Sequence, residues 1–496
     1  MPARRVVRSI ILLCAVCPIA SLGAQQGGAA AGAESPLVFE HVTVVDVEQG
    51  RLLADRRVVI DGTRIIAVDS GSHDGPAGAR RVDGTGKYLI PGLWDMHVHA
   101  AHGSYGRGLP ANDSGFAPLF IANGVTGVRD MFGVEGRAKL WKAHVRNGTA
   151  PWPRIVVSQH ILDGPQAVWP GSVRVATAAA ARRAVDSLVR AGADFLKVYS
   201  FLPRDAFRAA VEQAGRRGLP VAGHVPFVLS VEDASDAGMR SIEHMTGIPA
   251  ACSTVTDSVH AAYLGALDDP DVLAAMSRVG TALGPAILSN PDPTRCAALA
   301  ERLSKNGTWL SPTLTVLRST AHLDDTTLAG DQRTRFVPGR YLQLWDPRND
   351  FRFRNVTAEG WGIRRRMFAR QLEIVGHMAR AGVPVIAGTD FGNPWIFAGF
   401  SLHDELGLLV QAGLTPLEAL RAATLGPARY LDATDSLGTV ERGKLADLVL
   451  LDADPLADIT NTTKIRAVVA NGRYLDRAAL DALLAGAERR IRGETP

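Results

Sequence analysis

Short apolar runs alternate with amphipathic segments through the middle of the chain. Eight runs rich in Val, Ile and Leu predict buried strands, and they cover residues 93–99, 127–131, 155–159, 195–199, 220–224, 241–244, 309–313 and 383–390. Helical spacing of apolar residues separates several of them, at residues 178–191, 204–217, 231–237 and 364–380. Alternating β and α units predict an α/β protein with a parallel (β/α)8 TIM barrel. A doubly wound open sheet is the alternative, and it is disfavoured because no glycine-rich phosphate loop follows the first strand.

Both ends of the chain carry a different pattern, typical of short antiparallel strands. The Asp61-Gly62 pair between two apolar runs is a strong hairpin signal. We predict that residues 37–90 and 438–476 build one small β-sandwich domain, discontinuous in sequence. The barrel then takes residues 91–437, and a C-terminal helix takes residues 477–496.

Two long stretches inside the barrel region do not fit the alternation of strands and helices. Residues 250–308 are expected to form a partly helical insertion that helps to cover the barrel mouth. Residues 320–362 are rich in Arg, Asp and aromatic residues and are expected to add loops or short helices on the same face.

The N-terminus has the pattern of a secretory signal peptide. Three arginines among the first eight residues precede an apolar run at residues 10–16, and small residues follow as far as Ala24. We expect residues 1–24 to be the signal, with cleavage after Ala24, and residues 25–36 to be a flexible N-terminus. The protein is therefore expected to be exported, to the periplasm or the extracellular space, with no membrane-spanning segment.

Charge and cysteine content narrow the partners and the compartment. A net charge of +4 on 496 residues, with no basic run interleaved with aromatics, argues against a nucleic-acid partner. Beyond the signal the chain keeps two cysteines, Cys252 and Cys296. In an exported protein they predict a disulfide, with two unpaired buried thiols as the alternative. The oligomeric state, including a homo-oligomer, stays open.

Ionisable residues recur at the carboxyl ends of the predicted barrel strands. In this fold, the face formed by those ends carries the active site. These residues are His97, His99, Lys197, His224, His244 and Asp390. Two histidines separated by one residue share a strand face. Imidazole and carboxylate groups suit zinc or a similar divalent ion, so we predict a metal site. Lysine can join it only after losing its positive charge.

The sequence resembles the amidohydrolase superfamily of metal-dependent hydrolases over essentially the whole chain beyond the signal. The resemblance lies in Leu-Ile-Pro-Gly-Leu-Trp-Asp-Met-His-Val-His at residues 89–99, in the Lys-His-His-Asp series, and in Gly-Lys-Leu-Ala-Asp-Leu-Val at residues 443–449. It is closest to secreted prolidase-like and imidazolonepropionase-like members.

The resemblance implies a centre with two divalent ions, zinc being the expected metal. His97, His99 and Asp390 would hold the first ion, and His224 and His244 the second. Lys197, carboxylated by CO₂, would bridge them.

The predicted activity is hydrolysis of an amide or peptide bond in a small molecule: a dipeptide, an N-acyl amino acid or an aryl amide. A hydroxide bridging both ions would attack, with Asp390 as general acid and base. Phosphotriester or lactone hydrolysis is an alternative, because the same hydroxide can attack those groups. A non-catalytic binding module is disfavoured because every ligand position is filled.

Substrate contacts are harder to assign. Pro226 replaces a tyrosine that the prolidase-like group often has, which puts a dipeptide substrate in doubt, and His160 and Tyr199 are the predicted substitutes. Aromatic residues near the expected mouth are candidates for an apolar pocket: Trp361, Phe391, Trp395 and Phe397.

Overall fold

A computed structural model describes residues 35–70, 75–101 and 115–493, so the predicted signal peptide lies outside the described residues. The strands are β1 Leu37–Asp46, β2 Arg51–Asp61, β3 Arg64–Asp69, β4 Arg80–Asp83, β5 Tyr88–Pro91, β6 Leu93–Val98, β7 Val125–Asp130, β8 Arg154–Val157, β9 Leu162–Asp163, β10 Val173–Arg174, β11 Leu196–Val198, β12 Val221–Gly223, β13 Ser241–Glu243, β14 Trp309–Ser311, β15 Leu448–Leu451, β16 Ile465–Ala470 and β17 Arg473–Asp476.

The helices are α1 Ala117–Ala122, α2 Glu135–Asn147, α3 Ala178–Arg190, α4 Arg204–Arg216, α5 Val231–Asp236, α6 Ile248–Ala251, α7 Thr256–Ala266, α8 Val272–Ser289, α9 Pro293–Asn306, α10 Leu314–Ala321, α11 Gly339–Leu344, α12 Ala358–Arg380, α13 Phe400–Gln411, α14 Pro416–Ala422, α15 Leu425–Tyr430 and α16 Arg477–Ile491. Short 3₁₀ helices lie at Thr326–Gly330, Gln332–Phe336 and Ile459–Thr463.

Two parallel sheets form the wall of the barrel. One has the order β6-β7-β8 and the other β10-β9-β11-β12-β13-β14. On one side, the Asp194 amide donates to the Val157 carbonyl at 2.8 Å and joins the two sheets. On the other side, the extended segment 383–391 forms parallel bridges to Leu310 of β14 and to Val98 of β6. The ring of eight closes in this way, which confirms the predicted barrel.

The helices that cover the barrel begin and end close to the predicted positions, except at the start of α12. Helices α3, α4 and α5 each lie within one residue of the predicted limits, but α12 begins at Ala358 instead of residue 364. The Thr357 hydroxyl accepts from the Gly360 amide at 3.1 Å and caps this earlier start. Glycines at positions 360 and 362 weaken the helical signal in this turn.

Strands from both ends of the chain share one sheet, in the order β17-β16-β15-β5-β1-β2-β3. Strand β4 pairs with the first four residues of β1, and β5 pairs with β1 further along. Its side chains alternate between two apolar layers. Leu448 and Leu450 of β15 pack inside the β-domain, whereas Val449 and Leu451 pack in the large core shared with the barrel. Because the period of a strand is two, one run of apolar residues serves both cores.

The insertion after β13 consists of the four helices α6, α7, α8 and α9. Cys252, just after α6, is disulfide-bonded to Cys296 in α9, with the Cα atoms 4.3 Å apart. The predicted pairing is confirmed. The segment 320–362 contains 3₁₀ turns and α11, as expected for short helices.

Helix α8 differs from the expectation that nothing beyond the signal could span a membrane. Among the described helices it is the one long and apolar enough to do so by length and composition. Its apolar character is spread over Ala and Gly and is interrupted by Arg278 and Pro285, which hid it in the sequence. Val272 and Met276 pack in a cluster with Phe201, which follows β11.

Candidate metal centre

The predicted ligands meet at the carboxyl ends of the barrel strands. Strand β6 is buried along its whole length, and alternation puts Asp95 and His97 on one face with His99 just beyond. Candidate ligand atoms of His97, His99 and Asp390 lie within 4.8 Å of one another. Asp390 Oδ1 is 3.4 Å from His97 Nε2 and 2.9 Å from His99 Nε2.

The other two histidines and the lysine join this group. The His244 ring centroid lies 4.4 Å from that of His97 and 5.0 Å from that of His224. Lys197 is fully buried, and its charge acts on all three of these imidazoles. Gly223 of β12 pairs with Val198, the neighbour of Lys197 on β11. A Cβ on Gly223 would lie 2.1 Å from the Val198 carbonyl oxygen and 3.1 Å from Lys197 Cδ, so a glycine is needed there.

Three of the imidazoles are oriented through Nδ1 by a partner outside the cluster. His97 Nδ1 donates to Glu243 Oε2 at 2.7 Å. His224 Nδ1 bonds the Ser200 hydroxyl at 2.9 Å, and His244 Nδ1 bonds the Thr313 hydroxyl at 2.7 Å. Occupied Nδ1 atoms leave each Nε2 free to bind an ion, and such outer partners are typical of histidine ligands.

Two buried atoms in the cluster make no hydrogen bond of good geometry with the described residues, although His99 Nε2 lies 2.9 Å from one of them. They are His97 Nε2 and Asp390 Oδ1. Buried polar atoms are nearly always hydrogen-bonded. These two atoms lie 3.4 Å apart, and the lone pairs of both suit binding to one shared cation. With nitrogen and oxygen donors, these residues fit zinc or a similar divalent ion.

The backbone is strained where the ligands project. His244 has φ 57° and Asp390 has φ 61°, a left-handed conformation that non-glycine residues rarely adopt. Such strain is concentrated at functional sites. Packing is also tight, since a Cβ on Gly388 would lie 2.8 Å from His97 Cβ.

Burial and neighbouring groups together shift the pKa values of these side chains. Burial lowers the pKa of His97 and His224 well below the usual range, and that of His244 to about 4. Burial likewise lowers the pKa of Lys197 to about 8. Although burial alone raises the pKa of Asp390, the neighbouring imidazoles His244 and His97 hold it well below the usual value. His97, His224 and His244 are therefore neutral near neutral pH, and Asp390 is ionised.

A buried charged network below the ligands was missed by sequence reasoning. Arg129 of β7 is fully buried, and its Nη2 donates to both Glu243 oxygens at 2.9 and 3.0 Å. Its Nη1 donates to Tyr430 Oη at 2.8 Å. Glu243 therefore stays ionised and orients His97. In a regular strand, the side chains of Glu243 and His244 would point to opposite faces. The left-handed backbone conformation at His244 lets both side chains face inward.

Asp95 supports the same corner and was noted in the sequence only as a neighbour of the histidines. Its carboxylate accepts from the Thr389 hydroxyl at 2.6 Å and from the His97 amide at 3.2 Å. Burial raises its pKa to about 7. These bonds tie β6 to the segment that ends at Asp390.

The two predicted substrate contacts differ in position. The Tyr199 ring stacks on His224 with centroids 3.9 Å apart, and its hydroxyl accepts from Trp169 Nε1 at 2.8 Å. Tyr199 therefore lines the cluster. The one described ring contact of His160 is with Phe132, at 6.2 Å. Its Nδ1 is buried without a partner.

Of the aromatic residues expected near the mouth, Trp361, Phe391 and Phe397 are buried and Trp395 is half-buried, and each packs against another ring. Phe391 contacts Phe116 and Phe120, and Trp395 and Phe397 contact Trp345. Trp361 instead forms part of a platform with Phe353, their centroids 6.1 Å apart.

Fold and site together define an α/β-barrel enzyme whose candidate metal ligands stand on the carboxyl ends of the strands. The chain belongs to the amidohydrolase family, whose sequence profile matches residues 88–475. It is thus a hydrolase of the class that acts on carbon–nitrogen bonds.

Individual proteins support the family and the group. A 5-methylthioadenosine/S-adenosylhomocysteine deaminase of Symbiobacterium thermophilum is 24% identical over 440 residues, 84% of this chain and 85% of that protein. An imidazolonepropionase of Pyrobaculum arsenaticum is 44% identical over 80 residues, 16% of this chain and 19% of that protein. The structure of a putative prolidase from Bifidobacterium longum has the same fold, with a TM-score of 0.65, 23% identity and coverage of 92% of this chain and 99% of that one.

Proposed function

We propose that the protein is an exported, metal-dependent amidohydrolase that cleaves an amide or peptide bond in a small molecule. The observation that carries the proposal is the set of oriented imidazoles: three Nδ1 atoms are held by outer partners, which leaves their Nε2 atoms available as ligands. Candidate ligand atoms of His97, His99 and Asp390 also lie within 4.8 Å of one another. Such preorganised donors are expensive to bury unless they bind an ion.

Two ion positions account for the whole ligand set. His97, His99 and Asp390 would hold one ion, and His224 and His244 the other. Bound divalent ions supply a polarised carbonyl and a water that is deprotonated near neutral pH. The charge of the buried Lys197 amine acts on His97 of one group and on His224 and His244 of the other. Burial lowers the pKa of Lys197 to about 8, which increases the fraction of neutral amine. Attack of that amine on CO₂, with loss of one proton, would give an anionic carbamate able to bridge both ions.

Asp390 is the proposed proton carrier. Its Oδ1 faces His97 and His99, whereas its Oδ2 lies 3.8 Å from His244 Nδ1. With Oδ1 committed to ligation, Oδ2 is available to take the proton of the attacking water and to return it to the leaving amine.

A substrate panel with metal analysis tests the proposal. Protein purified with zinc and bicarbonate is expected to carry about two ions per chain, as in two-metal hydrolases, and to hydrolyse members of a panel of dipeptides, N-acyl amino acids and aryl amides. Phosphotriesters and lactones serve as the comparison set. Less than one ion per chain with no hydrolysis of any compound would contradict the proposal and favour a binding module.

Export is supported by the signal pattern of residues 1–24 and by the disulfide between Cys252 and Cys296. N-terminal sequencing of the mature protein is expected to start at Gln25. A protein that keeps residues 1–24 and stays in the cytoplasmic fraction would contradict it.

A further inference from the structure

Two arginines next to the candidate metal centre have no role in the reaction described above. We propose that Arg352 and Arg364 form a carboxylate-binding subsite, so that the enzyme selects amides and peptides with a free carboxylate beside the scissile bond. This inference rests on the proposed function, because it names the substrate class of the same site. It separates dipeptides and N-acyl amino acids from aryl amides that lack an acid group.

Arg352 is one side chain away from the candidate ligand Asp390. Its Nη1 donates to Asn393 Oδ1 at 3.1 Å, and Asn393 Nδ2 donates to the Asp390 carbonyl at 3.2 Å. The charge of Arg352 also acts on Asp390 and on Tyr199, which stacks on His224. The guanidinium therefore stands on the wall of the site.

Arg352 is held in place but keeps free donors. Its Nε and Nη2 donate to the two oxygens of Asp350 at 3.0 and 2.7 Å. Its guanidinium carbon lies 5.8 Å from the Trp169 ring centroid and 5.0 Å from that of Phe353. Of the five N–H groups of an arginine, Asp350 takes two and Asn393 takes one. Two remain for a ligand.

Arg364 projects from α12 beside Arg352 and is half-buried. Its guanidinium carbon lies 5.1 Å from the Phe353 ring centroid and 5.8 Å from that of Trp361. Within the described residues it forms no hydrogen bond and no ion pair with a carboxylate. Burial and the like charge of Arg352 lower its pKa. An unpaired, partly desolvated cation beside a second cation is costly unless an anion binds there.

The charges and the chemistry of the pair match one carboxylate. Two guanidinium groups and the Asp350 carboxylate leave one positive charge. The planar fork of arginine binds a carboxylate through two parallel hydrogen bonds. In a dipeptide or an N-acyl amino acid, the α-carboxylate sits on the carbon that bears the leaving nitrogen. An acid group in that position lies close to the scissile carbonyl, and Arg352 is joined to the Asp390 segment through Asn393.

Hydrolysis of N-acetyl-L-leucine and of its C-terminal carboxamide by the zinc-loaded protein tests the subsite. The acid is expected to have a kcat/KM about 10- to 100-fold higher, the effect of one charge-assisted contact. Arg364→Met is expected to abolish this preference by lowering the kcat/KM of the acid to about that of the carboxamide, mainly through KM. Arg366→Met is the matched control, because Arg366 is an exposed arginine on the same helix.

Calorimetric titration of the chelator-treated protein with the same two compounds gives a readout that needs no turnover. Binding of the acid is expected to be about 10- to 100-fold weaker in Arg364→Met, with carboxamide binding unaffected. Equal treatment of acid and carboxamide by the wild-type protein would overturn the subsite, even if Arg364→Met did not fold. Acid-selective binding without hydrolysis of any panel compound would instead overturn the proposed function and keep the subsite.

Discussion

Asp390→Asn is expected to lower kcat about 10²- to 10⁴-fold, the usual contribution of a general acid–base group, while most of the metal stays bound. Asparagine keeps an oxygen where Oδ1 faces His97 and His99. Its amide nitrogen, however, cannot accept the proton that Oδ2 is proposed to carry. Turnover on the best panel substrate and metal content per chain are measured on the same preparation.

Asp432→Asn is the control for this change, because Asp432 is an exposed carboxylate paired with Arg240. It is expected to behave like the wild-type protein. Full activity in Asp390→Asn would rule out the proton-carrying role of Asp390. Loss of both metal and activity would indicate that Asp390 acts only as a metal ligand.

Lys197→Ala is expected to reduce the metal content from about two ions to one or none, and kcat/KM by more than about 100-fold, the upper end for loss of a partner in the outer shell of a metal site. The proposed carbamate on Lys197 would supply anionic oxygens as metal ligands, and alanine has no group that can replace them. Lys197→Arg should fail in the same way, because an arginine keeps its charge and forms no carbamate.

Two measurements complement the metal analysis of Lys197. Wild-type protein prepared with carbon-13-labelled bicarbonate is expected to show a carbamate resonance that Lys197→Ala lacks. Lys142→Ala removes an outer lysine that pairs with Asp194 and should keep both the resonance and the metal. A fully metal-loaded, active Lys197→Ala protein would refute the bridging role.

The barrel could be predicted from sequence because its signal is local and repeated. Each inner strand is an apolar run, and each covering helix has its own spacing, so helices α3, α4 and α5 were predicted to within one residue. The shared sheet of the two chain ends followed from hairpin and strand patterns in the same way. The start of α12 was missed because a cap at Thr357 outweighs two glycines.

The ligand candidates were visible for a related reason. The carboxyl ends of the parallel strands all lie on one face of a barrel. Ionisable residues at the ends of the apolar runs are therefore brought to that face, whatever the course of the loops. His97 and His99 share a face by alternation alone. Their grouping with Asp390 within 4.8 Å is what that topology requires.

The sequence by itself thus determined the family, the barrel, the disulfide pair and the set of candidate ligands, because these depend on short-range periodicity and on residue type. Only the tertiary structure revealed the inward turn of Glu243 beside His244 and the buried Arg129 that neutralises Glu243. It also revealed that Arg364 has no carboxylate partner among the described residues. Those features depend on backbone conformations and contacts between residues more than a hundred positions apart or on separate elements. Contacts of that kind leave no periodic signal in the chain.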